Sequence, residues 1–260
     1  MSTTYYRSIF ISDIHLGTKG CQADKLLDFL KSTESEHLYL VGDIVDCWYM
    51  TKNIYWPQSH NDVIQKILRK GRKGTEIVYI PGNHDELMRN FTDQFFGNII
   101  LVDQYTYIDS KGDPLLVIHG DQFDVVIRKA KWLAHLGSWA YDVAIHANGM
   151  VNWFRRQFDL PYWSLSAWAK QRVKSAVNFI GEYETTLANY ARTQEVSGII
   201  CGHIHSANIS EFDGIAYMNC GDWVESCTAL VETLEGEWQI IRWAEVQDDV
   251  GTDTASDKDK

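Results

Sequence analysis

The sequence predicts an α+β protein, a four-layer α/β/β/α sandwich of two mixed sheets interrupted by a helical insertion. Three observations carry this expectation. Short apolar runs alternate with amphipathic stretches as far as Asp121. Strand signals then vanish between Phe123 and Tyr190, where long, aromatic-rich helical stretches take over. Strands return after that as closely spaced hairpins. Helix–strand alternation followed by hairpins gives two packed mixed sheets with helices outside.

In chain order, "SIFISD" (8–13) reads as a buried strand and "CQADKLLDFLKSTES" after it as an amphipathic helix. "HLYLVGD" (37–43) is the next strand, and "NDVIQKILRKGRKG" (61–74) has helical spacing with Asn61 as its N-cap. "EIVYIPGNHD" (76–85) is a third strand running into a Pro-Gly turn. "IILVD", "YTYID" and "LLVIHGD" follow as strands, the last two joined by "SKGDP". "SGIICG", "ISEF-DG-IAYMN" and "CTALVETLEGEWQIIRW" are the returning strands, and there is no internal repeat.

Five of these strands stop at the same kind of residue. "SDIHLG" supplies Asp13 and His15, "GDIVD" supplies Asp43, and "GNHDE" supplies Asn83, His84 and Asp85. "HGDQFD" supplies His119 and Asp121, and "GIICGHIHSAN" supplies His203 and His205. In extended chain, side chains two apart face one way. The spacing therefore predicts that Asp13 with His15, and His203 with His205, share a target. Imidazoles and carboxylates aimed at one small volume suggest a cation.

Each motif alone has an ordinary explanation. "GD" after a strand is usually a turn with Asp capping the next helix, and a lone His at a strand end is usually a hydrogen-bonded surface residue. Five together are poorly explained as turns. Five of the nine histidines fall in these motifs, while His37, His60, His135 and His146 read as structural.

The order D-x-H, GD, GNHD, H-G-D, GH-x-H resembles the calcineurin-like metallophosphoesterase superfamily. The resemblance implies two metal ions sharing a bridging aspartate, Asp43. Asp13, His15 and His205 would complete one ion's ligands, and Asn83, His119 and His203 the other's. Such a donor set suits Mn²⁺, Fe²⁺ or Zn²⁺, and the family makes Mn²⁺ the first expectation. Two cations ~3.5–4 Å apart lower the pKa of a water and clamp phosphoryl oxygens. His84 would give a proton or hydrogen bond to the leaving oxygen, with Asp85 holding its ring.

Composition bounds the rest. Hydrophobic residues at 45% and charged residues at 23% are ordinary for a globular protein. A net charge of −11 argues against a general nucleic-acid binder, and metals would supply the positive charge an anionic substrate needs. Five cysteines without a CxxC pair fit a reducing compartment. No stretch of ~20 apolar residues is present and no signal peptide is visible. The expected location is the cytoplasm. Residues 1–122 and 191–247 are expected to form the phosphoesterase core, 123–190 a helical lid, and 248–260 a disordered acidic tail.

The insertion holds five of the ten tryptophans, Trp132, Trp139, Trp153, Trp163 and Trp168. Its eight Lys and Arg against five acids leave +3 there, hence −14 over the rest of a chain at −11. Most of its aromatics are expected to form its own small core. A lid with an apolar groove and basic rim could also hold acyl chains and rest on an anionic membrane.

A closer resemblance is carried by "SDIHLGTKGCQADKLLDFL", "YLVGDIVDCW", "YIPGNHDE", "VIHGDQFD", "LPYWSLSAWAKQRVKSAVNFIG" and "CGHIHSA…NCGDWVESCTALVE". These look like the UDP-2,3-diacylglucosamine pyrophosphatase family, which cleaves a UDP-linked diacyl sugar to UMP and the lipid 1-phosphate on the way to lipid A. The resemblance implies Mn²⁺, a Gram-negative cytoplasm and peripheral contact with the inner membrane, with no nucleic acid and no obligate protein partner. The best-known branch has Arg where this chain has His84. Ser164, Arg172, Lys174 and Asn178 are the candidate nucleotide or sugar contacts. The alternatives are a phosphodiesterase or phosphatase for another small or lipid-linked phosphate, and a non-catalytic metal-dependent scaffold.

Overall fold

The computed structural model describes residues 3–123, 181 and 183–244. Two compact units make up the chain, Met1–Asp121 with Ala188–Lys260, and Gln122–Leu187. The first unit holds every proposed ligand. The predicted lid, 123–190, falls almost wholly outside the described residues, as do Ser164, Arg172, Lys174, Asn178 and the tail 248–260.

Two mixed sheets form the first unit. β1 (Thr4–Ile11), β2 (Thr33–Val41), β3 (Glu76–Ile80) and β5 (Ile99–Leu101) run parallel. β11 (Thr228–Glu232), β12 (Trp238–Arg242) and β4 (Gln94–Phe96) pair antiparallel at the flanks, giving the order β12-β11-β1-β2-β3-β5-β4. The second sheet has five strands in the order β6-β7-β8-β10-β9, formed by β6 (Tyr105–Ile108), β7 (Pro114–Val117), β8 (Gly198–Cys201), β9 (Asn208–Phe212) and β10 (Ile215–Asn219).

Alternation along each strand divides the core in two. Ile9 and Ile11 of β1 and Leu38 and Leu40 of β2 face helices α1 (Ala23–Ser32) and α3 (Gln58–Arg72), whose Leu26, Phe29, Val63 and Ile67 cover that side. Phe10, Tyr39, Val41, Val78 and Ile80 point the other way, onto Leu115, Val117, Ile200 and Met218 of the second sheet. The Phe10 and Tyr39 rings stack at 4.4 Å, with Tyr107 edge-on at 5.4 Å from Phe10. This is the predicted arrangement of mixed sheets with helices outside.

Two boundaries differ from the sequence expectation. The strand expected from His37 starts at Thr33. Thr33 is already extended, and its hydroxyl donates to the Phe29 carbonyl at 2.8 Å, closing α1 as it leaves it. Helix α3 begins at Gln58 behind Pro57 rather than at Asn61. Proline is well suited to a helix start, and Asn61 instead accepts from Trp56 Nε1 at 2.8 Å.

The carboxyl ends of β1, β2, β3, β7 and β8 lead into the five motif-bearing loops, the usual place for a ligand in an open α/β sheet. Among the described residues no helix is long and apolar enough to cross a membrane.

Candidate metal centre

The loops after β1 and β2 are laced together by their backbones. Asp13 N donates to Gly42 O at 3.0 Å, His15 N to Asp43 O at 2.9 Å, Leu16 N to Ile44 O at 2.9 Å, and Asp46 N back to Leu16 O at 2.8 Å. Nine non-glycine residues among those described have positive φ, and five of them are proposed ligands: Asp13 (50°), His15 (54°), Asp43 (54°), His203 (69°) and His205 (52°). Such conformations cost of order 1–3 kcal/mol each and gather at functional sites.

This corrects the reason given for the paired motifs. Asp13 and His15, and likewise His203 and His205, lie beyond the ends of β1 and β8. Left-handed turns, not strand alternation, aim them. The members of the second pair also part company, since His205 joins Asp13 and His15 whereas His203 joins Asp43 and His119.

In the first cluster His205 Nε2 lies 3.0 Å and His15 Nε2 3.9 Å from Asp13 Oδ1. In the second, His119 Nε2 lies 3.5 Å from Asp43 Oδ2. That same Asp43 oxygen is 3.8 Å from His15 Nε2, so Asp43 sits between the clusters. Gly82 is obligatory beside it, because a Cβ there would come within 2.3 Å of Asp43 Oδ1.

The imidazole tautomers are fixed from behind. His119 Nδ1 donates to the Val41 carbonyl at 3.0 Å, and His15 Nδ1 lies 3.0 Å from Asp46 Oδ2. Each ring therefore presents Nε2 to the cluster, the arrangement in which an outer partner orients a metal-binding histidine. His15 Nε2, His119 Nε2, Asp13 Oδ1 and Asn83 Oδ1 are buried and carry no hydrogen bond. Buried polar atoms are normally satisfied, so facing acceptors with nothing to accept fit divalent cations.

Charge agrees with this reading. Burial works against ionising Asp13, but His205, His119 and His15 outweigh it and hold the carboxyl far below the usual range. Burial likewise opposes an imidazolium at His119, yet the Asp43 carboxylate raises it to about 10. A divalent cation would compete with protons for these same atoms.

His84 does not have the neighbour expected from sequence. Asp85 is buried and turns away, accepting from the backbone N–H groups of Gly82 (2.6 Å), Ile44 (2.8 Å) and Asp43 (3.3 Å), and from the Tyr79 hydroxyl. It shapes the loop carrying Asp43. The carboxylate beside His84 is Asp46, whose Oδ2 is 2.9 Å from His84 Nδ1. Asp46 also caps α2 (Cys47–Met50), accepting from Tyr49 N at 2.7 Å. Burial pushes its carboxyl up, but the hydrogen bonds from His15, His84 and Tyr49 hold it below the usual range. The sequence signal for Asp46 was its place three residues after Asp43, and an N-cap explained that equally well. His84 packs edge-on to His15 at 4.6 Å and lies 4.8 Å from the ring of half-exposed Trp48. Asp121 pairs with Arg89 Nη2 at 2.7 and 2.9 Å.

The sequence profile of the calcineurin-like phosphoesterases matches residues 6–207, a span that takes in all the motifs just described. The chain belongs to this family. It is a metal-dependent phosphoester hydrolase. Similar phosphoesterases include the UDP-2,3-diacylglucosamine hydrolase of Neisseria gonorrhoeae, 26% identical over 224 residues that span 83% of this chain and 89% of the relative. The hydrolase of the same name from Nitrosococcus oceani is 27% identical over 252 residues, 88% of this chain and 92% of the relative. The one from Xanthomonas campestris pv. campestris reaches 33% over 118 residues, 44% of this chain and 46% of the relative. Among solved structures, an archaeal phosphodiesterase is 14% identical with a TM-score of 0.42, covering 90% of this chain and 98% of the other.

Proposed function

We propose that this phosphoesterase holds two divalent ions and cleaves the pyrophosphate bond of UDP-2,3-diacylglucosamine, releasing UMP and the diacylglucosamine 1-phosphate used in lipid A synthesis. The observation that carries the metal pair is the set of buried polar atoms without a hydrogen bond around Asp43. The substrate rests on hydrolases of that name matching along most of their length.

In this reading Asp43 together with Asp13, His15 and His205 would hold one ion, and Asp43 together with Asn83, His119 and His203 the other. The ions, Mn²⁺ first and Zn²⁺ or Fe²⁺ as alternatives, would activate a water and offset phosphoryl charge. The side chains do the rest. Val41 O and Asp46 hold Nδ1 of His119 and His15 and so turn their Nε2 atoms inward. Asp46 on Nδ1 orients the His84 ring and leaves its Nε2 4.0 Å from Asp43 Oδ2, a position from which the imidazolium form would give a proton to the leaving phosphoryl oxygen. Asp85 keeps the Asp43 loop in place and has no direct part in proton transfer.

Residues 123–190, the insertion between the core segments 1–122 and 191–247, are proposed to recognise the substrate; they lie almost wholly outside the described residues, as does the tail 248–260. Ser164, Arg172, Lys174 and Asn178 are the insertion's proposed contacts to nucleotide or sugar. Its +3 charge on a chain at −11 suits an anionic inner-membrane surface approached from the cytoplasm. The partners are thus the lipid substrate and that surface, without nucleic acid.

One observation favours a second reading, a phosphodiesterase for another lipid-linked phosphate. His84 stands where the best-known branch has Arg, which stabilises charge without giving up a proton. Assay of Mn²⁺-loaded protein against UDP-2,3-diacylglucosamine and a bis-aryl phosphodiester decides between them. Release of UMP from the lipid is expected. Turnover of the diester alone would leave only the family activity.

A further inference from the structure

The stretch "NCGDW" (219–223) carries no proposed ligand, yet two of the ligand loops are tied to it directly and a third, at His119, through Gly202. Asn219, the last residue of β10, is fully buried and uses both ends of its amide. Its Nδ2 donates to the carbonyl of Gly202 at 2.8 Å, the residue before His203. Its Oδ1 accepts from Gly221 N at 2.9 Å. The Gly221 carbonyl in turn accepts from Ser12 Oγ at 2.8 Å, the residue before Asp13. Trp223 N donates to the Asp13 carbonyl at 3.0 Å, and His203 N to Asp13 Oδ2 at 2.8 Å. Gly202 N completes the connection by donating to His119 O at 3.1 Å.

These bonds form a closed circuit through Ser12–Asp13, Gly202–His203 and Asn219–Trp223. It has no slack. A Cβ on Gly202 would come within 2.6 Å of Ser12 Cβ, and one on Gly221 within 1.9 Å of Thr228 Oγ1. Asp13 belongs to one ligand cluster and His203 to the other, so the circuit fixes the separation of the two half-sites.

We propose that Asn219 is a positioning residue that sets the spacing of the metal pair, acting through Gly202 on His203 and through Gly221 and Ser12 on Asp13. This rests on the two-ion reading above. Loss of its amide should uncouple the ions before it unfolds the chain, because outer partners of metal ligands typically contribute 10–100-fold in affinity or activity.

The test uses Asn219→Asp, which keeps the shape and the Oδ1 acceptor but turns the Nδ2 donor into an oxygen facing Gly202 O. Mn²⁺ is titrated into metal-free full-length protein and followed by electron paramagnetic resonance, where a close pair gives a spin-coupled signal distinct from single ions. Wild type is expected to bind two coupled Mn²⁺. Asn219→Asp should bind the second ion about 10–100-fold more weakly and lose coupling, with its circular dichroism retained. For a bis-aryl phosphodiester, kcat should fall while KM stays within a few-fold. Ser12→Ala, which deletes one hydroxyl link, should shift the second affinity in the same direction by a smaller factor, and it decides the matter should Asn219→Asp not fold. Wild-type coupling and affinity in a folded Asn219→Asp, or in Ser12→Ala where that is the deciding variant, would overturn the positioning role. Fewer than two ions in wild type would overturn the dinuclear reading itself, and the inference with it.

Discussion

Two buried polar clusters lie along β1 and obey opposite rules. Beyond its carboxyl end, Asp13, His15 and Asp43, on left-handed backbone, face one another and His119, with buried polar atoms that nothing among the described residues satisfies. Nearer its start, Ser8, Tyr107 and Glu232 are buried and satisfied. Ser8 Oγ donates to the Tyr107 hydroxyl at 2.8 Å, that hydroxyl donates to Glu232, and Ser110 N donates to Glu232 Oε1 at 2.8 Å. Arg7 Nε adds a hydrogen bond to Tyr107 at 3.2 Å. Burial and the Glu232 carboxylate raise the Tyr107 phenol to about 12, so it stays a donor. A satisfied polar cluster is architecture, and an unsatisfied one is a site awaiting its ligand. Substitutions in the two places should therefore fail in different assays.

The largest contrast is expected at Asp43. Asp43→Asn keeps the shape, and Asn tolerates φ of 54°, but a bridging charge is gone. Turnover should drop to the detection limit. Mn²⁺ at a hundredfold its Kd should stabilise wild type by about 2.7 kcal/mol per site, seen as a rise in Tm, and this rise should vanish in the variant. The metal-free Tm should change little. An active Asp43→Asn, or one whose Tm still climbs with Mn²⁺, would break the comparison at its strongest point.

His84→Gln comes next. It removes a proton donor but no proposed ligand, so kcat should fall roughly 10²–10⁴-fold while the Mn²⁺-induced rise in Tm is kept. Losing both together would make His84 a ligand and Asp46 its orienting partner.

The two clusters also differ in how far they could be read from sequence. Metal chemistry fixes residue types, so Asp13, His15, Asp43, His119, His203 and His205 stood out at strand ends. Their aiming did not, because alternation governs extended chain and all of them but His119 sit on left-handed backbone. Asp46 was hidden by its second role as a helix cap. Asp85 was misread because adjacency to His84 suggested contact, whereas its carboxylate faces back to Gly82 and Ile44. The Ser8–Tyr107–Glu232 cluster was illegible altogether. Its members come from three strands, with Ser8 and Tyr107 separated by 99 positions and Tyr107 and Glu232 by 125, and no local pattern connects them.

Tyr107→Phe tests that satisfied cluster directly. It removes one hydroxyl and leaves Glu232 short of a donor, at a cost of about 1–3 kcal/mol. For a chain of this size that lowers Tm by ~2–4 °C per kcal/mol. kcat and the Mn²⁺ response should stay as in wild type. Impaired turnover at an unchanged Tm would mean the two clusters communicate, and the division between architecture and site would have to be redrawn.

The smallest effect is expected where satisfied charge meets solvent. Lys70 of α3 is buried, donating to the Thr33 carbonyl and lying 3.0 Å from Glu34 Oε2, while Lys66 Nζ is 3.7 Å from Glu34 Oε1. Burial raises the Glu34 pKa, but the Lys70 hydrogen bond and the charges of Lys70 and Lys66 prevail and hold it below its ordinary value. A carboxyl with a lowered folded pKa stabilises fully above its unfolded value, ~4.3 for Glu. That contribution is lost as pH falls through the folded value. Glu34→Gln should cost no more than about 1 kcal/mol at neutral pH, with kcat unchanged. In urea melts of metal-free protein, its deficit should shrink as pH drops below ~4.3, because wild type is then losing what the variant never had. Parallel stability curves down to the acid limit would show that Lys70 gains nothing from the Glu34 charge, leaving the Thr33 carbonyl as its effective partner.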